Sequence, residues 1–110
     1  MNPLRNKVSL IGKIHTTCYQ DAVDFPHAII EVITIEKHIL NDGSYGPRTK
    51  VIHQVHAYNQ LAHRMNAALN PNMEVIIEGR LLPLRYPGGN TINVIVCTEF
   101  LILTPKKKKK

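Results

Sequence analysis

One amphipathic stretch, residues 60–69, restricts the fold of this chain more than any other feature. Leu61, Met65, Ala68 and Leu69 recur at helical spacing and give a single helix one apolar face. Asn59 is placed to cap its start, and Asn70-Pro71 stops it. The rest of the chain alternates with the period of a strand.

Three strands are predicted before that helix. In the first, Lys7 to Ile14, Val8, Leu10 and Ile14 share a face, and Gly12 marks a bend or a close backbone approach. Residues 15–26 read as a connection. The second strand, Ala28 to Lys37, is rich in β-branched residues and carries apolar side chains on both parities. Both its faces are therefore expected to be covered, one by a barrel interior and the other by ligand, a neighbouring subunit or the helix. Asn41 to Pro47 is turn chemistry. In the third strand, Thr49 to Tyr58, Val51, His53, Val55 and Ala57 are assigned to the core. Ile52, Gln54, His56 and Tyr58 are assigned to the outer face.

Two strands follow the helix. Met73 to Leu82 sets Val75, Ile77 and Leu81 against Glu74, Ile76, Glu78 and Arg80, with Gly79 where a curved strand needs a bulge. Pro83 is expected to end regular pairing or to mark an edge. Pro87-Gly88-Gly89-Asn90 forms a hairpin turn, and Thr91 to Leu103 is the last strand. Strand, strand, strand, helix, strand, strand is the order of an OB-fold, an all-β architecture with one helix in which five strands close into a Greek-key barrel. We assign residues 1–104 to that domain and residues 105–110 to a disordered basic tail.

Composition narrows the class. The 110 residues allow one domain, and 44% hydrophobic residues support a folded core. No apolar run is long enough to span a bilayer, and Met1 to Asn6 lacks the apolar stretch of a signal peptide. A cytoplasmic protein with no membrane partner is the expectation. The formal charge of +6 is misleading, because five of the 14 basic residues are Lys106 to Lys110. Setting those aside leaves nine basic against eight acidic side chains, a balance of +1. Affinity for a polyanion then depends on where the charges sit.

Catalytic and metal chemistry find no support. Cys18 and Cys97 form no CxxC and read as separate thiols, one in a loop and one in a strand. The six histidines make no helical HxxxH and no Cys-His cluster, so neither a metal nor another cofactor is expected. Glu31, Glu36, Glu74 and Glu78 read as strand-surface residues, not as a catalytic pair. The expectation is a protein that is not an enzyme.

Three segments in register resemble bacterial single-stranded-DNA-binding proteins: Asn6 to Gly12 their opening strand, Ile52 to Ala62 their third strand and helix start, and Val75 to Leu81 their fourth strand. The similarity extends over residues 6–103. It implies that bases stack on rings along strands two to four while basic side chains neutralise phosphates, largely without sequence preference. The ring positions fall on His38, Ile52, Tyr58 and Tyr86, and Ile52 cannot stack. Tyr45, in the turn between strands two and three, is a candidate to compensate. Lys7, Arg48, Lys50, Arg80 and Arg85 are the implied phosphate contacts, and Gln54 is an outward hydrogen-bonding group beside them.

The resemblance also implies a homo-dimer or homo-tetramer, with His53 near a subunit contact, and a role in DNA replication, recombination or repair at the nucleoid. Single-stranded DNA is the expected partner, with RNA as the alternative polymer. The sequence departs from the family after Leu103, where no linker and acidic recruiting tip follow. That departure keeps open a second role, as a primosomal or accessory OB-fold adaptor acting through replication or repair proteins.

Overall fold

The computed structural model describes residues 6–21, 25–85 and 88–103. Five strands and one helix follow in the order β1 (Val8–Asp21), β2 (Pro26–Ile39), β3 (Tyr45–Tyr58), α1 (Asn59–Ala68), β4 (Glu74–Arg85) and β5 (Thr91–Ile102). The strands close into a barrel in the order β1-β2-β3-β5-β4. With the helix between β3 and β4, this is the OB arrangement that the strand order predicts.

Closure depends on β1 serving two partners. Val8 to Lys13 pairs with β4, and Lys13 to Asp21 pairs with β2. The change of partner happens at a bulge between Ile14 and Thr16 and beside Gly12, whose hypothetical Cβ would lie 2.4 Å from the Ile33 carbonyl oxygen. A bulge bends the strand and a glycine lets the neighbouring backbone close in. Residues 15–21, expected as part of a connection, are therefore strand, and exposed Cys18 lies in β1, not in a loop. The segment lacks apolar alternation because Thr16, Cys18 and Gln20 face outward while Thr17 and Tyr19 are only half-buried.

The core lies inside the barrel. Ile14, Ile30, Val32, Val55, Val75 and Ile77 meet Met65 of α1 and Leu69 just after it there, all buried. Burying each such side chain contributes about 1.5–3 kcal/mol. Val55 and Ala57 take the core positions assigned to them, with Val51 and His53 half-buried along the same face. The helix presents Ala62 and Met65, Leu69 is buried at its C-cap, and Leu61 stays half-buried. Asn59 does not cap it. Tyr58 is the N-cap with no side-chain bond, and Asn59 instead takes a left-handed backbone (φ 59°), a conformation asparagine tolerates.

β4 and β5 extend beyond the barrel as a hairpin. The register shifts between Glu78 and Gly79, so the predicted bulge is present. Leu81, expected inside, is exposed because the strand has by then left the barrel wall. Pairing continues past Pro83 to Arg85 and Thr91. Pro83 is tolerated because it marks an edge. Pairing of β1 with β4 stops at Val8 and Gly79, and the Asn6 side chain then mimics a strand, its Nδ2 donating to the Leu81 carbonyl at 2.7 Å and its Oδ1 accepting from the Leu81 N–H at 3.0 Å. Two residues on, the ring nitrogen of Pro83 points to that same open side, where no donor is needed.

Candidate nucleic-acid interface

Register between β2 and β3 builds the site. Lys37 lies opposite Arg48, Ile35 opposite Lys50, Ile33 opposite Ile52, Glu31 opposite Gln54 and His27 opposite Tyr58. All of these side chains share the outer face of the sheet, since partners in a ladder point the same way. Tyr58 stands about ten residues, roughly 34 Å, from Arg48 along β3. Between them runs a floor with Ile52, 51% exposed, at its centre.

The far end of this face is basic. Like charges directly opposite each other destabilise a ladder, and Lys37 and Arg48 are such a pair. Exposed Lys50 adds a third cation one pleat along. The Lys37 ammonium lies 6.0 Å from the centroid of the Tyr45 ring, which is 67% exposed at the mouth of the hairpin. His38 sits exposed in the irregular step between Lys37 and Ile39, out of phase with this row.

At the near end the rings are ordered. Tyr58 is half-buried and stacks on His27, with centroids 4.6 Å apart and planes 6° from parallel. His27 meets His56 edge to edge: Nε2 and Nδ1 are 3.0 Å apart, with centroids at 5.1 Å and planes 20° from parallel. His56 Nε2 in turn reaches Gln54 Oε1 at 3.1 Å. Strand parity predicts His56 as an accessible outward group, but it is only 3% exposed. Its ring is covered and hydrogen-bonded at both nitrogens. Burial lowers the pKa of His27, and burial followed by repulsion from His27 lowers that of His56. His53 turns inward, with Nε2 2.8 Å from the Thr34 hydroxyl.

The other basic candidates lie across β5. Val96 is in register with both His56 of β3 and Arg80 of β4, so exposed Arg80 continues the His56 row two strands away, roughly 10 Å. Lys7, one residue before the Val8–Gly79 pair, contacts Glu78 at 3.8 Å. Exposed Arg85 is near the tip of the β4–β5 hairpin, opposite Thr91. Tyr86 and the lysine run lie outside the described residues. Arg48, Lys50, Gln54 and Tyr58 thus share one continuous face. Lys7, Arg80 and Arg85 approach it from the β4 side.

Lys37 and His27 belong to this face although nothing in their local sequence marks them. Both become visible only when the odd positions of β2 are laid against the even positions of β3. Among the described residues, no group of three or more His, Cys, Asp or Glu side chains is arranged to hold a metal. No described helix is long and apolar enough to cross a membrane.

A scan against protein-family models finds no match, and no curated protein matches by sequence. Solved structures do match. The small single-stranded DNA-binding protein from Streptomyces coelicolor is 16% identical, with a TM-score of 0.66 over 91% of this chain and 95% of that one. The Plasmodium falciparum SSB in complex with ssDNA is 18% identical, with a TM-score of 0.71 over 94% of this chain and 100% of that one. A deletion mutant of the Thermus aquaticus single-stranded DNA binding protein is 15% identical, with a TM-score of 0.74 over 91% of this chain and 51% of that longer one. This chain has the OB fold that these single-stranded-DNA-binding proteins share.

Proposed function

We propose that this protein binds single-stranded DNA, largely without sequence preference, along the outer face of β2 and β3. One observation carries the reading. A ladder face that sets a stacked tyrosine at one end and an opposed Lys37–Arg48 pair at the other is costly to the free protein and suited to a polyanion with flat bases. Bases stack on Tyr58, and Ile33 and Ile52 line the floor between. Lys37, Arg48 and Lys50 neutralise phosphates, with Arg80, Arg85 and Lys7 extending the path toward the β4–β5 hairpin. Tyr45, His38 and Tyr86 are further stacking candidates, and Gln54 is a hydrogen-bonding one. Similarity in fold to proteins that carry this activity by name supports the same reading. We assign the role to DNA replication, recombination or repair, at the nucleoid, without catalysis.

Self-association belongs to the same proposal. Ile11 pairs with Ile76, and Ile76 with Leu101, forming an apolar row across three strands on the outer face of β1, β4 and β5. Ile11 is 66% exposed and Leu101 59%. A contiguous apolar patch on a small protein marks a contact surface, and we place the homo-oligomer contact there.

Titrating labelled oligo(dT), oligo(rU) and duplex DNA with the protein at two salt concentrations tests the reading. Preferred, salt-sensitive binding of oligo(dT) is expected. Failure to bind oligo(dT), or equal affinity for duplex, would overturn it.

A further inference from the structure

The ring stack beneath Tyr58 contains two histidines, and its hydrogen bonds have a direction. Gln54 Oε1 accepts, so His56 Nε2 carries its proton and donates. Neutral His56 is then bare at Nδ1 and accepts from His27 Nε2–H. That leaves His27 Nδ1 without a proton and, among the described residues, without a hydrogen-bond partner. A proton added at His27 Nδ1 breaks no bond in the chain. It converts the 3.0 Å contact to His56 into a charge-assisted one, and it puts a cation flat against the face of Tyr58. A proton added at His56 Nδ1 would instead confront the His27 N–H.

We propose that His27 is a proton-dependent positioning residue for the Tyr58 platform, so that uptake of one proton at its Nδ1 tightens binding of single-stranded DNA below neutral pH. The inference rests on the binding reading above and adds regulation to it.

Among the described residues, few neighbouring charges compete for this role. On β2 the nearest acid is Glu31, held by the Thr16 hydroxyl at 2.8 Å and four residues along the strand from His27, roughly 14 Å and beyond a Debye length of about 10 Å. On β1, uncharged Gln20 and Cys18 lie opposite His27 and Ile29, and the acid of that strand, Asp21, is in register with Pro26, one position from His27. On β3 the neighbours are Tyr58 and Gln54. On β4, Arg80 is separated from His56 by Val96. The helix contributes His63 and Arg64, which engage Tyr19 and Phe100. Burial holds both histidines neutral near pH 7. A phosphate chain along the face supplies the negative potential that reverses this preference, so binding and proton uptake favour each other.

Anisotropy titrations of oligo(dT) carrying a pH-insensitive label, at pH 7.5 and 5.5 and constant ionic strength, test the proposal. The native protein is expected to bind about threefold to fivefold more tightly at pH 5.5, the effect of one imidazole holding its proton more firmly beside a polyanion. His27→Phe keeps a ring on Tyr58 but offers no nitrogen for the proton, so whatever its affinity at pH 7.5 it should show little of that gain at pH 5.5. His27→Ala should bind more weakly at both pH values. An equal gain in His27→Phe, or weaker native binding at pH 5.5, would overturn the proposal while leaving the binding reading intact. Absence of native binding at pH 7.5 overturns the binding reading itself, and the proposal with it. Should His27→Phe fail to fold, calorimetry of the native protein near pH 6 in buffers of different ionisation enthalpy decides. Proton uptake on binding supports the proposal, and zero uptake overturns it.

Discussion

The imidazole of His27 lies flat on the ring of Tyr58, 4.6 Å between centroids, and joins residues 31 positions apart across the β2–β3 ladder. One face of the tyrosine is thereby occupied by the protein itself. Its rotamer is set before any ligand arrives, so less side-chain entropy is lost when a base stacks on the remaining surface. Tyr58→Ala is expected to lower oligo(dT) affinity at fixed salt by about 1–3 kcal/mol, roughly fivefold to 150-fold. Tyr58→Phe keeps the ring and should change little. Anisotropy titration of both variants measures the difference.

The opposed cations at the other end make a different prediction. Removing one cation that neutralises a phosphate should flatten the slope of log K against log salt by about 0.7 for a single strand. Arg48→Gln and Lys50→Gln are each expected to do so. Lys37→Gln should also leave thermal stability unchanged or raised, because it removes the like charge facing Arg48. Titrations at several salt concentrations and a melting curve check both effects.

Gly79 is expected to be intolerant for a purely local reason. A Cβ there would lie 2.2 Å from the Val96 carbonyl oxygen and 3.1 Å from the Cys97 Cα, both backbone atoms of the paired strand. Neither can move without opening the bulge that turns β4. Gly79→Ala should cost about 1–3 kcal/mol, the range of an overpacked site. Urea unfolding of the variant beside the native chain gives the value.

Fold stability should fall as the pH drops below neutral. His27 and His56 both have pKa values below 6.5 in the folded protein, chiefly because burial disfavours their charged forms. The unfolded chain takes up protons near 6.5, ahead of the folded one, so this contribution is whole above pH 6.5 and declines as the pH falls toward the folded values. Urea midpoints at pH 7.5 and 5.5 should show the drop, and His56→Gln should lessen it.

The apolar row on β1, β4 and β5 predicts assembly. Native protein should run as a dimer or larger species in sedimentation or light scattering. Leu101→Glu, placed beside Ile76, should shift it toward monomer without unfolding it, since Leu101 is largely exposed in the single chain. A native monomer at micromolar concentration would contradict the proposed interface.

Much of the barrel is legible along the chain, because period-two alternation and helical spacing are local quantities. The core places of Val55 and Ala57, a helix expected at 60–69 and found at Asn59–Ala68, and the bulge at Gly79 all follow from them. The second half of β1 does not. His15 to Asp21 is mostly polar, and it becomes strand because the bulge after Ile14 turns it onto β2. His56 shows the same limit in a side chain. Its parity points outward, yet its place between His27 and Gln54 buries it.

Alternation along β3 was enough, by itself, to put Ile52, Gln54 and Tyr58 on one outer face, and the order of elements was enough to indicate a five-stranded barrel plugged by one helix. Only the tertiary structure decided that Lys37 faces Arg48, that Arg80 continues the His56 row through Val96, and that His27 lies on Tyr58. The reason is physical. Which face a residue takes is set by its own strand, but which residue it meets is set by register. Register comes from bulges and turns that shift whole strands past one another, so a partner 31 positions away leaves no mark in either residue's local sequence.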